Sequence, residues 1–142
     1  MPTATPMTTL RKTFESLLAS QTKSRKKPAH REHDIQSACV RYFRAQYPQY
    51  KLNLFAVPNG GRRDKVSGAL LKEEGVIPGV SDLVLLLSRR GYHALLIEMK
   101  TKDGGQSLTQ KQWQQHIERF DYKYMVCRSF DEFKDTIDWY IN

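Results

Sequence analysis

The chain has 142 residues, 39% of them hydrophobic and 27% charged. That is one domain of ordinary size with room for a single core; it excludes a disordered chain and leaves no length for a separate recognition domain. The formal net charge of +8 points to a polyanionic partner.

The charge excess is concentrated in residues 1–31. There Arg11, Lys12, Lys23, Arg25, Lys26, Lys27 and Arg31 stand against Glu15 alone, whereas residues 32–142 are nearly balanced. The chain therefore divides into a basic N-terminal arm, 1–31, and a domain, 32–142. Such an arm suits sequence-independent phosphate contact, or simply keeps the protein soluble. Within it Leu10, Phe14, Leu17 and Leu18 fall on one helical stripe, with Thr8 or Thr9 as a cap. A helix that short needs a partner surface. Residues 20–31 read as a linker. The start, MPTATPMTTL, has no apolar block behind a basic end, and no run approaches the ~20 apolar residues that cross a bilayer. Neither a secretory signal nor membrane insertion is expected. Cys39 and Cys127 have no metal-site spacing and read as buried, reduced thiols of a cytoplasmic protein.

From Glu32 the pattern becomes regular. Ile35, Ala38, Cys39, Tyr42, Phe43 and Tyr47 form a helical face that Pro48 ends. Leu52–Val57 reads as a strand, and Pro58-Asn59-Gly60-Gly61 as a loop. A short helix covers about Lys65–Glu74, with Gly75 as its stop and a turn at Pro78-Gly79. Two short apolar runs, Leu83–Leu87 and Ala94–Ile97, flank Ser88-Arg89-Arg90-Gly91 and suggest a buried hairpin. After a polar loop, Ser107 and Gln110 match a capping box that opens a helix to about Phe120. Tyr124–Cys127 is a strand. Ser129 and Glu132 form a second capping box, and Phe130, Phe133, Ile137 and Ile141 line the last helix. The order α β α β β α β α predicts an α/β fold, a mixed sheet flanked by helices. Tyr122, Tyr124 and Trp139 read as core.

The hairpin strands are apolar except at their ends, where Asp82 starts the first and Glu98 and Lys100 finish the second. Alternation puts Glu98 and Lys100 on one face and Ile97 and Met99 on the other. With Arg89-Arg90-Gly91 as the loop, Ser88 faces Tyr92, Val84 faces Leu96, and Asp82 faces Glu98. Cross-strand neighbours lie roughly 5 Å apart at Cβ. Two carboxylates so placed repel unless one is protonated or a cation lies between them. Hard oxygen donors without a His or Cys cluster favour Mg²⁺ or Mn²⁺. Such an ion polarises phosphate and acidifies water, and Lys100 could orient that water or stabilise developing charge. The same residues also fit an ordinary strand-end ion pair.

Gly79-Val80-Ser81-Asp82, an apolar strand, a turn and Glu98-Met99-Lys100 resemble the PD-(D/E)XK nuclease signature. Pro58-Asn59-Gly60-Gly61-Arg62 precedes it. Leu71-Lys72, Gly75-Val76, Pro78-Gly79 and Asp82-Leu83 follow, then Glu98 and Lys100, then Ser107, Gln110 and Trp113. In that order they resemble the virus-type replication-repair nuclease (VRR-NUC) family, from about Glu32 to Trp139. The resemblance implies a restriction-endonuclease-like PD-(D/E)XK core and Mg²⁺- or Mn²⁺-dependent phosphodiester cleavage of DNA. It implies Asp82, Glu98 and the Met99 carbonyl as metal ligands, Lys100 as the catalytic lysine, and Glu32 as an acidic residue of the first helix. Glu32 also suits the first turn of a helix on electrostatic grounds alone. Gln110 matches the family's helix glutamine and is equally the capping-box partner of Ser107. Ser81 stands where the metal motif often has proline. Asn59, Gly60, Gly61, Arg62, Arg63 and Lys65 form a basic, glycine-loosened loop suited to DNA backbone, with Lys72 and Lys102 as further candidates.

The resemblance further implies a bacterial or phage origin, since stand-alone members of that family are typically viral or bacterial, and a kinship with Holliday-junction resolvases that act as homodimers in recombination and repair. The leading expectation is therefore a structure-selective endonuclease for branched DNA. The alternatives are a branched-DNA-binding module that does not cut, and a flap or restriction-like defence nuclease.

Overall fold

A computed structural model describes residues 28–58 and 65–142 of the chain. In chain order these are helix α1 (Pro28–Gln46), a 3-10 turn (Pro48–Tyr50), strand β1 (Leu54–Ala56) and helix α2 (Lys65–Glu73). Strands β2 (Leu83–Leu85) and β3 (Leu95–Met99) follow, then helix α3 (Leu108–Glu118), strand β4 (Lys123–Cys127) and helix α4 (Phe130–Ile141). Apart from the 3-10 turn, this is the order read from the sequence. The arm stripe of Leu10, Phe14, Leu17 and Leu18 and the loop residues Asn59, Gly60, Gly61, Arg62 and Arg63 lie outside the described residues.

Two boundaries differ from expectation. Helix α1 starts at Pro28, inside the segment read as a linker. Proline suits the first helical position, where its fixed φ is already helical and its missing N–H has no partner to lose. Glu32 is thus the fifth helical residue, and the first-turn explanation for it does not hold. Strand β1 is shorter than Leu52–Val57 because the chain is still turning at Asn53, whose N–H donates to the Tyr50 carbonyl at 2.8 Å.

The sheet has four strands in the order β1-β2-β3-β4. The first two pairings are antiparallel and β3–β4 is parallel. A parallel neighbour needs a crossover, which α3 supplies. Leu83, Leu85, Leu95, Ile97 and Met99 point to one face, where Cys39 and Phe43 of α1 and Tyr47 just after it meet Phe133, Ile137 and Tyr140 of α4. Cys39 and Cys127 are free and fully buried in this core; burial pushes their thiols up to about 12 and about 11. Both are therefore neutral and unreactive.

Leu83 pairs with Ile97, Val84 with Leu96, and Leu85 with Leu95, the register expected from the sequence. The turn itself differs. Arg89 and Tyr92 exchange both backbone hydrogen bonds, so only Arg90 and Gly91 form the loop, at φ 54° and 81°. Positive φ at both central residues is the two-residue turn that matches strand twist. The loop is one residue shorter than predicted. A bulge compensates: three residues, Leu86–Ser88, separate the turn from β2, against His93 and Ala94 on the β3 side. There Leu86 N–H turns away to the Asn53 carbonyl at 2.9 Å.

Candidate active site

The face opposite the α1–α4 core carries the even-numbered residues of β3, Leu96 and Glu98, beside Val84 of β2 and Tyr124 of β4. One step beyond the Leu83–Ile97 pair, Asp82 stands across from Glu98. The Met99 N–H donates to Asp82 Oδ2 at 2.7 Å, which locks the aspartate to the end of β3. In an extended strand a residue's N–H and C=O point the same way, so the Met99 carbonyl is directed toward Asp82 as well. Lys100 shares the face of Glu98, and its Nζ lies 3.2 Å from Glu98 Oε1.

Helix α3 completes the site. Ser107 Oγ accepts from Gln110 N–H at 3.2 Å, and Gln110 Oε1 accepts from Ser107 N–H at 2.8 Å. The predicted capping box is complete. Because that box uses only the amide oxygen, Gln110 Nε2 remains free to donate to Glu98 Oε1 at 2.6 Å. The glutamine is both cap and site residue.

Glu32 reaches the same place from α1, where its Oε1 accepts from Thr101 N–H at 3.3 Å. Asp82, Glu98, Met99, Lys100, Gln110 and Glu32 all line one polar cleft of about 230 Å³, together with Gly79, Val80, Ser107 and Thr109.

The cleft closes because Gly79 lets the loop before β2 touch the start of α3. Gly79 has φ +84°, and a Cβ there would lie 2.6 Å from the Thr109 carbonyl carbon and 2.9 Å from Gln110 N. Only glycine fits both the conformation and the gap. Upstream, Gly75 ends α2 with φ +100°. Its N–H donates to the Lys72 carbonyl at 3.1 Å, and Val76 N–H to that of Leu71 at 2.9 Å, the paired bonds of a Schellman stop.

Both central carboxyls are raised. Glu98, 1% exposed, is pushed up to about 7 by burial first and by the charge of Asp82 second, against the pull of Lys100. Asp82 is raised by burial, with Glu32 adding to the shift, while the Met99 N–H and Lys100 oppose it. Two partly desolvated acids, one raised by the charge of Asp82 and the other by that of Glu32, are the kind of site that suits a positive charge.

The structure adds residues that sequence reading passed over. Tyr124 is buried as predicted, yet its hydroxyl donates to Glu98 Oε2 at 3.5 Å. Gln106 Nε2 donates to that hydroxyl at 3.3 Å and to Gln114 Oε1 at 2.9 Å. Neither contact has a local signal in the sequence, because both join distant segments. Arg128 donates to the carbonyls of Thr101 and Gly104 and so holds the loop after Lys100.

Not every candidate comes to the cleft. Lys72 is exposed and lines a neighbouring hollow with Gly68, Leu71, Val76, Ile77, Pro78 and Gly79. Lys102 is exposed on the loop beyond Lys100 and does not line the site. Lys65 is the first residue of α2. Trp139 is not core: it is 42% exposed. The second capping box is half formed. Ser129 Oγ accepts from Glu132 N–H at 3.1 Å, but Glu132 Oε2 takes the Arg128 N–H, at 2.7 Å, in place of its own cap's.

The family model for the VRR-NUC domain matches residues 22–131. A solved structure described as a VRR_NUC domain protein superimposes with a TM-score of 0.69 at 23% identity, covering 78% of this chain and 87% of that one. At that identity the likeness speaks for the fold, which is of the PD-(D/E)XK-like α/β type. No curated protein matches the chain. Among the described residues no helix is long and apolar enough to cross a membrane. With more than half of its length matched by that model, the chain belongs to the VRR-NUC domain family, a family of DNA-processing nucleases.

Proposed function

We propose that the chain is an Mg²⁺- or Mn²⁺-dependent endonuclease that cleaves branched DNA, four-way junctions foremost, as a homodimer. The observation that carries the catalytic part is the Asp82–Glu98 pair across the ends of β2 and β3, with Lys100 on the same face 3.2 Å from Glu98. The branched substrate and the dimer rest on the family's likeness to junction resolvases and on symmetry, since two-fold junctions suit two-fold enzymes.

The donor set fits a hard divalent cation. All the groups are oxygens, and both carboxyls are destabilised as anions in the chain alone. Among the described residues no three His, Cys, Asp or Glu side chains form a ligand cluster by themselves. Asp82, Glu98 and the Met99 carbonyl would hold the ion, Glu32 would stand near it, and water and substrate oxygens would fill the remaining positions, as is usual for Mg²⁺. When bound, such an ion supplies Lewis acidity toward a phosphate oxygen and makes a water more acidic.

The chain's own groups do the rest. Lys100 orients the attacking water and offsets charge that develops on the phosphate. Gln110 fixes one oxygen of Glu98 so that the other faces Tyr124, which sets the carboxylate plane. Water attack on phosphorus breaks the bond to one ester oxygen, which leaves with a proton.

The test is cleavage of a labelled four-way junction, a 5′ flap and a plain duplex, with Mg²⁺ and then Mn²⁺, beside Asp82→Ala. Paired symmetric cuts in the junction that vanish in the variant are expected, from a chain that sediments as a dimer. Cutting of flaps or duplex alone would keep the chemistry and discard junction resolution. Junction binding without cutting by either protein would make the chain a binding module.

A further inference from the structure

The hairpin turn stands at the opposite end of the sheet from the carboxylates. Its surroundings are rich in cations and rings. The Arg90 guanidinium carbon lies 4.9 Å from the centroid of the Trp139 ring, and its Nε donates to the Trp139 carbonyl at 2.6 Å. Lys123 Nζ lies 5.6 Å from the Tyr92 ring and 5.8 Å from that of Trp139. Arg89 lies 5.7 Å over Tyr50 and donates to its hydroxyl at 2.9 Å.

These cations are held, but they are not neutralised. Among the described residues none of Arg89, Arg90 and Lys123 forms an ion pair with a carboxylate. The carboxylate next to the indole, Asp138, is engaged elsewhere: it accepts from Tyr42 at 3.0 Å, from Tyr47 at 2.6 Å and from Lys134 at 3.0 Å. Rings fix the direction of a guanidinium or ammonium without cancelling its charge. Arg90 spends one donor on the Trp139 carbonyl, and among the described residues its Nη groups have no hydrogen-bond partner. Trp139 is 42% exposed, which is unusual for the largest side chain in the chain's last helix.

We propose that Arg90, Lys123 and Trp139 form a second DNA-backbone contact, on the α1–α4 face of the sheet and apart from the cleft. The assignment rests on the reading of the chain as a DNA nuclease. Lys123 pairs with Leu95 and so points to the α1–α4 face, where Trp139 of α4 also stands. The patch therefore faces away from the cleft and meets a different stretch of DNA from the one held at Asp82. Phosphate rather than base edge is the expected ligand, because cations already stack on the indole.

The test uses full-length Asp82→Ala, which should bind without cutting, and a 20-base-pair duplex alongside a four-way junction. Arg90→Asn with Lys123→Gln removes both charges. Asparagine tolerates the positive φ of 54° at position 90, so the turn survives; unchanged circular dichroism checks the fold. The pair is expected to weaken binding about tenfold near 0.15 M salt and to lower the slope of log K against log salt by about 2. The sequence has two tryptophans, Trp113 and Trp139. In a Trp113→Phe background the emission of Trp139 is expected to change in step with binding measured by anisotropy.

An unchanged salt slope, or Trp139 emission that stays flat while anisotropy saturates, overturns the assignment. If the Asp82-intact chain still cuts DNA in that case, the second contact alone has failed. If it neither binds nor cuts DNA, the nuclease reading has failed and this one falls with it.

Discussion

At one end of the sheet stand Asp82, Glu98 and Glu32; at the other stand Arg89, Arg90 and Lys123. The helices run between these ends in a consistent sense. The first turns of α3 and α4 follow from the carboxylate end, where Ser107 and Ser129 cap them, and Glu32 places the start of α1 there too. The positive ends of three helix dipoles thus collect near the acids. At the far end the Trp139 carbonyl, in the last turn of α4, takes the Arg90 Nε. No basic residue stands in that last turn itself, so the hairpin supplies the cation. The difference between the ends is one of accounting for charge. Far-end cations are exposed or ring-stacked and cost little. Glu98 is buried and Asp82 half-buried, and Lys100 with the Met99 N–H only partly offsets what burial takes.

The largest effect should come from removing charge at the costly end. Glu98→Gln keeps the shape and the bond from Gln110 in altered form, yet removes a carboxylate from the cleft. Cutting is expected to fall by roughly 10²–10³-fold, with the melting temperature unchanged or raised. A melting temperature that drops sharply with cutting intact would make Glu98 a structural acid and erase the contrast between the ends.

Gly79→Ala attacks the closure of the same end by pure sterics. A methyl group 2.6 Å from the Thr109 carbonyl carbon must move α3 or the loop, and alanine also dislikes φ +84°. A loss of about 2–4 kcal/mol is expected from strain and overlap together, read by denaturant unfolding. Wild-type stability would mean that the loop and α3 are not in register there.

The pH dependence of stability sharpens the comparison further, measured without divalent ions. Glu98 binds its proton more tightly when folded, at about 7 against an ordinary 4.5. The folded state then holds more protons than the unfolded one between those values. Its contribution is fully present below 4.5 and is lost as pH rises toward 7, by about 2–3 kcal/mol. Glu98→Gln should flatten that fall. An equal fall in the variant would assign the pH dependence to another group.

The cleft was largely legible in the sequence, since strand alternation and an apolar hairpin suffice to pair Asp82 with Glu98. The register came out as expected even though the turn is shorter, because the Leu86–Ser88 bulge restores the lost residue. Local patterns cannot show such compensation. Nor can they show that Tyr124 reaches Glu98 across the fold with Gln106 behind it, or that Gly79 touches α3. Trp139 is a different matter. Phe133, Ile137 and Tyr140 define the buried stripe of α4, and position 139 falls off it, so helical periodicity alone places the indole outward.

The smallest expected effect is a matched pair at two helix starts of the acidic end. Ser107 and Ser129 cap α3 and α4 by the same bond, to the N–H three residues on, at 3.2 and 3.1 Å. Replacing either by alanine should cost about 1 kcal/mol of stability. Their consequences for chemistry should differ. Gln110, the partner of Ser107, ends on Glu98, whereas Glu132, the partner of Ser129, ends on the Arg128 backbone. Ser107→Ala frees the first turn that aims Gln110, so cutting should fall several-fold beyond what lost stability explains, while Ser129→Ala should leave it unchanged. Gln110→Glu separates the two duties of that residue. A carboxylate can still accept from Ser107 N–H, but it cannot donate to Glu98 and repels it. Stability near that of the parent above a sharply lower cutting rate would place the function of Gln110 in the cleft; equal losses in both would return it to the cap.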